Sequence, residues 1–244
     1  FPFLTIYTRK KYNSHMDIIQ QLRKETNKEL PLTDRIYEEL LRDILTGKLA
    51  RDSWLTETKV CSMYGASRTP IREAFRRLEM DGLLEYIPKR GEYVRGFSYD
   101  ELIDMLNIRA DLEVRAVSWS IERITDDEME QFDDIFRYME FYTKKNDIHM
   151  MMYANSAFHR HIYKTSHDRM LDKTLTTYFN YCKYSCPPNY FAPKFLDKTL
   201  EERRRIYSAY LKKDVTSGAR AMKLHMSSTI KRAIANINLN IYEK

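Results

Sequence analysis

Chain breakers are scarce in this sequence: 244 residues hold only 6 glycines and 7 prolines. That excludes collagen-like and low-complexity classes. With abundant Leu, Ile, Met, Lys, Glu and Arg, it favours a mostly helical protein. Cysteine is scarcer still, at 3 residues, an odd number with no framework spacing. Such usage fits a reducing, cytoplasmic compartment rather than a disulfide scaffold. No apolar run approaches the roughly 18 residues a membrane span needs, so no membrane partner is expected. Internal repeats are absent, as are a nucleophile elbow, a P-loop and a dinucleotide fingerprint. The length suits one or two domains with a core that needs no staples.

Charge is present but unevenly placed. Half of the formal +6 comes from Arg9, Lys10 and Lys11, in a stretch (1–15) with no acid. That stretch ends in Ser14-His15 before Met16 and reads as the remnant of an expression tag, the alternative being a natural basic arm. Residues 16–97 sum to only +1, so bulk charge says little about a nucleic-acid partner.

Glycine placement divides the rest. Gly47, Gly65, Gly82, Gly91 and Gly96 fall within fifty residues, and only Gly218 lies elsewhere. Residues 16–97 therefore predict a compact domain of short elements, and 98–244 a domain of long helices. Thr33 or Asp34 can cap a first helix that ends at Gly47. A second runs from about Thr56 to Tyr64, and a third opens at Ser67 and ends at Asp81-Gly82. Leu84–Ile87 and Glu92–Val94 read as strands around Pro88-Lys89-Arg90-Gly91. Three helices and a hairpin make a winged helix-turn-helix. Beyond it, Ser98-x-x-Glu101 and Thr125-x-x-Glu128 are capping boxes. Helical periodicity then covers about 147–165, 168–184, 197–212 and 215–240, with a loop at Cys186-Pro187-Pro188-Asn189. Gly218 costs the last helix a little. The fold class is mainly α, with the C-terminal part an antiparallel all-helical bundle.

The third helix divides by face. Ile71, Phe75 and Leu78 suit a core, while Arg68, Arg72 and Arg76 recur on another side. Ser67 and Thr69 put hydroxyls and free N–H groups where a phosphate can bind. An Arg near the N-terminal end can make the bidentate contact to guanine. Lys89, Arg90 and Gly91 form a cationic tip with a turn that admits close backbone approach. Charge runs are usually solvated faces; here the two clusters lie at places that a winged helix brings to one surface.

The residues Ile44-Leu45-Thr46-Gly47-Lys48-Leu49, Ser67 through Leu78, Asp81-Gly82-Leu83-Leu84 and Arg90-Gly91-Glu92-Tyr93-Val94 resemble the GntR family of bacterial transcription regulators, in order and in gaps. The resemblance implies that Arg68 and Arg72 read operator bases, that Thr69 touches phosphate and that Arg90 and Gly91 reach the minor groove. Arg51-Asp52-Ser53-Trp54 departs from the family, which has a Pro-Gly turn there.

In the helical part, Arg109 falls on the stripe of Leu102, Met105, Leu106, Leu112 and Ala116, and so needs a partner such as Glu113 or a bound anion. Asn155 and His159 share a face beside Met151, Ala154, Phe158 and Ile162. Arg203 and His225 also point inward. Polar groups converging in a bundle can form a ligand or metal site, although a lone inward His is more often a hydrogen-bonded core residue. His149, His161 and His167 read as surface or helix-end residues. Cys182 and Cys186 read as packing, and Tyr178 through Phe191 as core or interface.

Ile108 through Glu113, Asn155-Ser156-Ala157-Phe158-His159 and Ala221-Met222-Lys223-Leu224-His225 are similar to the FCD ligand-binding domain of FadR-type GntR regulators. The resemblance implies an Asp or Asn and three His around a divalent metal, with an organic acid bound at or beside it. One of those His positions is Arg203 here, preceded by Glu202. A guanidinium only donates and stays charged, so it is no ordinary metal ligand. The expectation is a metal-free centre in which Arg203, with Arg109, Asn155, His159 and His225, binds an anionic metabolite. Two alternatives remain: a weak zinc, nickel or manganese site on Asn155, His159 and His225, or an Arg203 paired internally with no effector.

The expected protein is thus a cytoplasmic, homodimeric transcription regulator, a repressor on double-stranded operator DNA, controlled by a small organic acid or other anion. It is not expected to be an enzyme. A metal-dependent sensor of the same family, and more remotely a metal-assisted enzyme, are the rivals.

Overall fold

The computed structural model describes residues 31–185 and 195–236. The expected tag at 1–15, the loop at Cys186-Pro187-Pro188-Asn189 and Tyr190-Phe191 lie outside them. Contacts divide the chain into two units. The winged unit holds the described residues of 29–106, 180–187 and 234–244, and the helical unit those of 107–179 and 188–233.

The winged unit opens with α1 (Leu32–Leu45), β1 (Trp54–Leu55), α2 (Glu57–Tyr64) and α3 (Arg68–Met80). Strands β2 (Leu84–Ile87) and β3 (Gly91–Val94) complete it. Helix α1 buries Ile36, Leu40, Leu41, Ile44 and Leu45 at helical spacing. Its cap differs from expectation. Pro31 is the N-cap residue, with no side-chain bond, and Asp34 instead accepts from Arg77 Nη1 at 2.6 Å. Helix α2 starts and stops as its residues dictate. Thr56 accepts from the Lys59 backbone N–H, and Gly65 ends the helix in the left-handed region at φ 60°. Buried Asp43 ties the helices together by accepting from Lys48 Nζ at 2.7 Å and from the Tyr64 hydroxyl at 2.8 Å.

The sheet is antiparallel with order β1-β3-β2. Strand β1 was not anticipated. It is only two residues long, too short for alternation to show, and follows Asp52, which bends the chain at φ 63°. Pairing with β1 explains Gly91, at φ 100°: a Cβ there would lie 2.6 Å from the Leu55 carbonyl oxygen.

The remaining helices are α4 (Tyr99–Arg123), α5 (Asp126–Lys144), α6 (Ile148–Thr165), α7 (Arg169–Ser185), α8 (Leu196–Leu211) and α9 (Val215–Asn236), of which the helical unit takes α5, α6 and α8 whole and residues 107–123, 169–179 and 215–233 of the others. The Thr125/Glu128 capping box is formed, as is that of Ser98 and Glu101 in the winged unit. The bundle core is aromatic-rich, with Phe132 touching Phe158, Tyr207 and Tyr210. Gly218 has a packing reason beyond its helix cost. A Cβ there would meet Ile121 Cδ1 at 2.3 Å and Ala209 Cβ at 3.4 Å, so α9 lies close on α4 and α8. His161 corrects the surface reading. It is buried and stacked on Phe132, rings 5.1 Å apart, and burial pushes its pKa down to about 4. His149 and His167 are exposed, and His167 lies 3.1 Å from Glu128.

Candidate functional site

Two constellations are present, one in each unit. In the winged unit, Ile71, Ala74, Phe75 and Leu78 turn α3 inward and leave Ser67, Arg68, Thr69, Arg72 and Arg76 exposed. Ser67 is the N-cap residue, yet its side chain bonds no helix N–H. Arg72 does not project alone: its Nε lies 2.5 Å from Glu57 Oε1 at the start of α2. That bond holds the Glu57 carboxyl below its ordinary range. The neighbouring Arg77 faces the other way, bonded to Asp34 and lying 3.9 Å over the Tyr37 ring. Four arginines on one helix thus split into three on the outer face and one that holds α3 to α1.

At the hairpin tip Lys89 and Arg90 are exposed, with Lys89 in the left-handed region at φ 69°. The Arg90 guanidinium lies 5.6 Å from the Trp54 ring. Gly91 is half-buried against Leu55, so its role in this geometry is to let β1 and β3 close. Glu57 and Trp54 were missed from sequence because each lies on another element and nothing local announces its partner.

In the helical unit, Arg109, Asn155, His159, Arg203 and His225 come together from α4, α6, α8 and α9, all buried. Glu113, one helical turn beyond Arg109 and wholly buried, is the hub of one half. It accepts from Arg109 Nη2 at 2.9 Å, from His159 Nδ1 at 3.1 Å and from the Tyr163 hydroxyl. Burial alone would raise its pKa; His159, Arg109 and the Tyr163 bond outweigh it and hold the carboxyl at about 2. The Arg109 guanidinium also lies 4.9 Å from the Phe179 ring.

Arg203 is the hub of the other half. It donates from Nε to Asn155 Oδ1 at 2.9 Å, from Nη2 to the same oxygen and from Nη1 to the Thr199 carbonyl at 2.9 Å. His225 Nδ1 lies 2.9 Å from Glu202 Oε2. Arg232 grips the same carboxylate in a fork, at 2.9 and 3.0 Å. The His159 and His225 rings are 5.5 Å apart and join the halves. Burial lowers the pKa of both imidazoles, and Arg203 lowers both further; His225 falls to about 3. Both rings are therefore neutral. Their carboxylate partners put the proton on Nδ1 and leave Nε2 as a lone-pair acceptor. Both acids of the centre, Glu113 and Glu202, are ionised and committed to cations and imidazoles. Tyr163, Glu202 and Arg232 were not picked out from sequence as members of this centre. Tyr163 is one helical turn after His159 and Arg232 two turns after His225, a spacing signal that was available.

Residues 32–94 match the family described as bacterial regulatory proteins, gntR family, and residues 104–228 match the FCD domain. The HTH-type transcriptional regulator YdhC of Bacillus subtilis (strain 168) is 27% identical over 206 residues, 82% of this chain and 90% of that protein. The HTH-type transcriptional repressor RspR of Escherichia coli (strain K12) is 25% identical over 205 residues, 83% and 89% of the two chains. Among solved structures, E. coli McbR/YncC superposes with a TM-score of 0.68 at 22% identity, covering 84% of this chain and 98% of its own. That last likeness speaks for the fold.

Proposed function

Since this chain belongs to the gntR family of bacterial regulatory proteins and carries an FCD domain, we propose that it is a homodimeric repressor whose hold on operator DNA is set by a small anion in the helical centre. DNA binding and an effector-binding helical domain are family properties; the dimer, the sign of regulation and the ligand class are our reading. Two recognition helices, one per protomer, would face half-sites about one helical turn apart. Arg68 and Arg72 would read base edges in the major groove, while Ser67, Thr69 and Arg76 hold phosphates. Lys89 and Arg90 would follow the neighbouring backbone from the wing, with Gly91 shaping the strand behind them. The protein acts on the chromosome, hence in the cytoplasm; no described helix is long and apolar enough to cross a membrane.

The observation that carries the anion reading is Arg203, buried between Asn155 and the two neutral imidazoles. A carboxylate or phosphate fits a guanidinium fork bidentately. Arg109 adds a second guanidinium beside His159. The anion would compete with the Asn155 amide oxygen for the Arg203 donors, and so change how α6 and α8 are held together. A ligand that binds one such arrangement better shifts the population toward it.

The donor set does not suit the divalent metal that the FCD resemblance implies. Two imidazoles with carboxylate-bonded Nδ1–H groups are dressed as metal ligands would be. However, the third imidazole position is a guanidinium, and the Asn155 oxygen already accepts two of its N–H groups. No trio of His, Cys, Asp or Glu able to hold an ion is found among the described residues. We propose no catalysis either, because Glu113 and Glu202 are engaged with cations and imidazoles rather than poised as bases.

The test has two arms. Thermal-shift screening against mono- and dicarboxylates, sugar acids and phosphorylated metabolites should find an anion that stabilises the protein and releases operator DNA. Arg203→Gln should abolish that shift. Stoichiometric zinc, nickel or manganese in unchelated protein, bound through His159 and His225, would overturn the metal-free reading.

A further inference from the structure

The outer face of the wing carries an aromatic pair that its core does not need. Leu55, Leu84, Glu92 and Val94 turn inward and are buried. On the opposite face Trp54 of β1 lies across from Tyr93 of β3, and Tyr93 across from Glu85 of β2. The Trp54 and Tyr93 rings are tilted, with centroids 5.2 Å apart, yet Trp54 stays 38% exposed. An indole left so open is not there for core packing alone. The turn before β1 builds the pair. Arg51-Asp52-Ser53-Trp54 stands where the resembled family has a Pro-Gly turn. Asp52 takes the left-handed conformation, φ 63°, that a glycine would adopt freely. Unlike glycine it brings a carboxylate, which accepts from the Tyr93 hydroxyl. The Asp52 backbone N–H donates to the Val94 carbonyl at 2.8 Å, and the Val94 N–H to the Ser53 carbonyl at 2.9 Å. Tyr93 is thus held at ring and hydroxyl, and it braces Trp54 in turn.

What the Trp54 ring meets is Arg90, whose guanidinium lies 5.6 Å from the ring centroid. That is within reach of cation–π attraction. The Arg90 backbone N–H donates to the Ile87 carbonyl at 3.0 Å and closes the hairpin turn. Other arginines of the winged unit spend their donors on acids: Arg72 on Glu57, Arg77 on Asp34 and Arg95 on Glu85. An aromatic ring instead holds a guanidinium through its charge and consumes none of its five N–H donors.

We propose that Trp54 is a positioning residue for operator binding: its ring, braced by Tyr93 and Asp52, presets the Arg90 guanidinium at the wing tip with its donors left for a DNA phosphate. An arginine side chain samples many rotamers and loses that freedom when it is fixed on a partner. Holding it in place beforehand reduces the loss. This role rests on the wing touching DNA, as in the proposed function. Because Trp54 acts through Arg90, it contributes nothing to a wing that lacks that side chain.

The probe is a labelled duplex enriched by the full chain from a random-sequence pool, its binding followed by fluorescence anisotropy over a range of salt. Trp54→Thr keeps a strand-forming residue but removes the ring. It should raise Kd by about two- to fivefold. Trp54→Phe keeps a ring and should recover much of that loss. Arg90→Ala should raise Kd and reduce the slope of log K against log salt by about one. Adding Trp54→Thr to Arg90→Ala should change Kd no further. An equal effect of Trp54→Thr with and without Arg90 would overturn the inference, since the ring would then act on strand packing or on DNA itself. The free protein gives a second readout. With Trp119→Phe, Trp54 is the only tryptophan left, and Arg90→Gln should change its emission. Unchanged emission would show that ring and guanidinium do not meet, and would equally overturn the inference. If the chain enriches no sequence, it is the DNA-binding assignment of the winged unit that fails, whereas the Trp54 emission still reports on the Arg90 contact.

Discussion

Arg203 donates from Nε to the amide oxygen of Asn155 at 2.9 Å and is only 1% exposed. A long cationic side chain is seldom so deeply buried without acceptors arranged for it. Its acceptors include Asn155 on α6 and the Thr199 carbonyl within α8 itself. The guanidinium therefore links α6 to α8 at the point where His159 and His225 meet. Any ligand that takes over its donors acts directly on that link.

The first prediction exchanges that cation for an imidazole. Arg203→His would free the Asn155 oxygen and add a third ring nitrogen beside His159 and His225. Three imidazoles and one amide oxygen suit zinc or nickel. Their Nδ1–H groups at His159 and His225 are already held by Glu113 and Glu202. The variant, dialysed against metal and then against buffer, should retain about one ion per chain by mass spectrometry, and wild type close to none. Equal uptake by both proteins would show that Arg203 does not decide the matter.

Much of this was legible in the sequence, for physical reasons that differ by element. Helix faces were readable because burial repeats with the helical period, which separated Ile71, Phe75 and Leu78 from Arg68, Arg72 and Arg76. The boxes at Ser98 and Thr125 were readable because a cap is a bond within four residues. What escaped depends on partners remote in sequence. Strand β1 exists only because β3 pairs with it, and His161 is inside only because Phe132 stacks on it. Asp34 serves Arg77, forty-three residues on, rather than its own helix end. The helical centre was half visible: inward placement marked Arg109, Asn155, His159, Arg203 and His225. Tyr163 and Arg232 carry only the helical spacing from His159 and His225, and Glu202 declares itself through the bonds it makes.

Acid should destabilise the helical unit in two stages. Histidines ordinarily titrate near 6.5, but in the fold His161 and His225 are pushed down to about 4 and about 3. Between those limits the unfolded chain binds protons that the folded one refuses. Stability is thus present above about 6.5 and lost as pH falls through the window. Glu113 and Glu202 are held at about 2 against an ordinary 4.5, so their contribution is present above 4.5 and lost toward 2. Both stages have the same sign. Circular-dichroism melts should show a steady fall in Tm from about pH 7 to about pH 4, steepening below. A Tm constant down to about pH 5 would mean that the buried histidines are not held neutral.

Arg72 and Arg77, five residues apart on α3, should fail in different ways when cut back to alanine. Arg72 is exposed and faces outward, so its loss should cost specific operator affinity by about 1–3 kcal/mol and relax base preference. Its exposed pair with Glu57 contributes little to folding. Arg77 is bound to Asp34 and stacked on Tyr37, so its loss should lower Tm and leave base preference intact. Competition binding with operator and scrambled duplexes, beside thermal melts, separates the two. A change in base preference from Arg77→Ala, or none from Arg72→Ala, would refute the division of this helix into a reading face and a holding face.

Gly218 offers a test of helix packing that does not depend on ligand or DNA. Alanine favours a helix interior over glycine by about 1 kcal/mol. At Gly218, though, the added Cβ would lie 2.3 Å from Ile121 Cδ1. That atom is the end of a side chain, so it can turn aside, but in a filled core such turning costs about 1–3 kcal/mol. Gly218→Ala alone should therefore be neutral to destabilising. Ile121→Val removes the obstructing methyl and should itself cost about 0.5–1.5 kcal/mol. Together the two changes should be more stable than their separate effects imply, because the propensity gain survives and the clash does not. Urea unfolding of the four proteins in the cycle measures that coupling. Strict additivity would show that α9 and α4 are not as close at this point as the Gly218–Ile121 distance states.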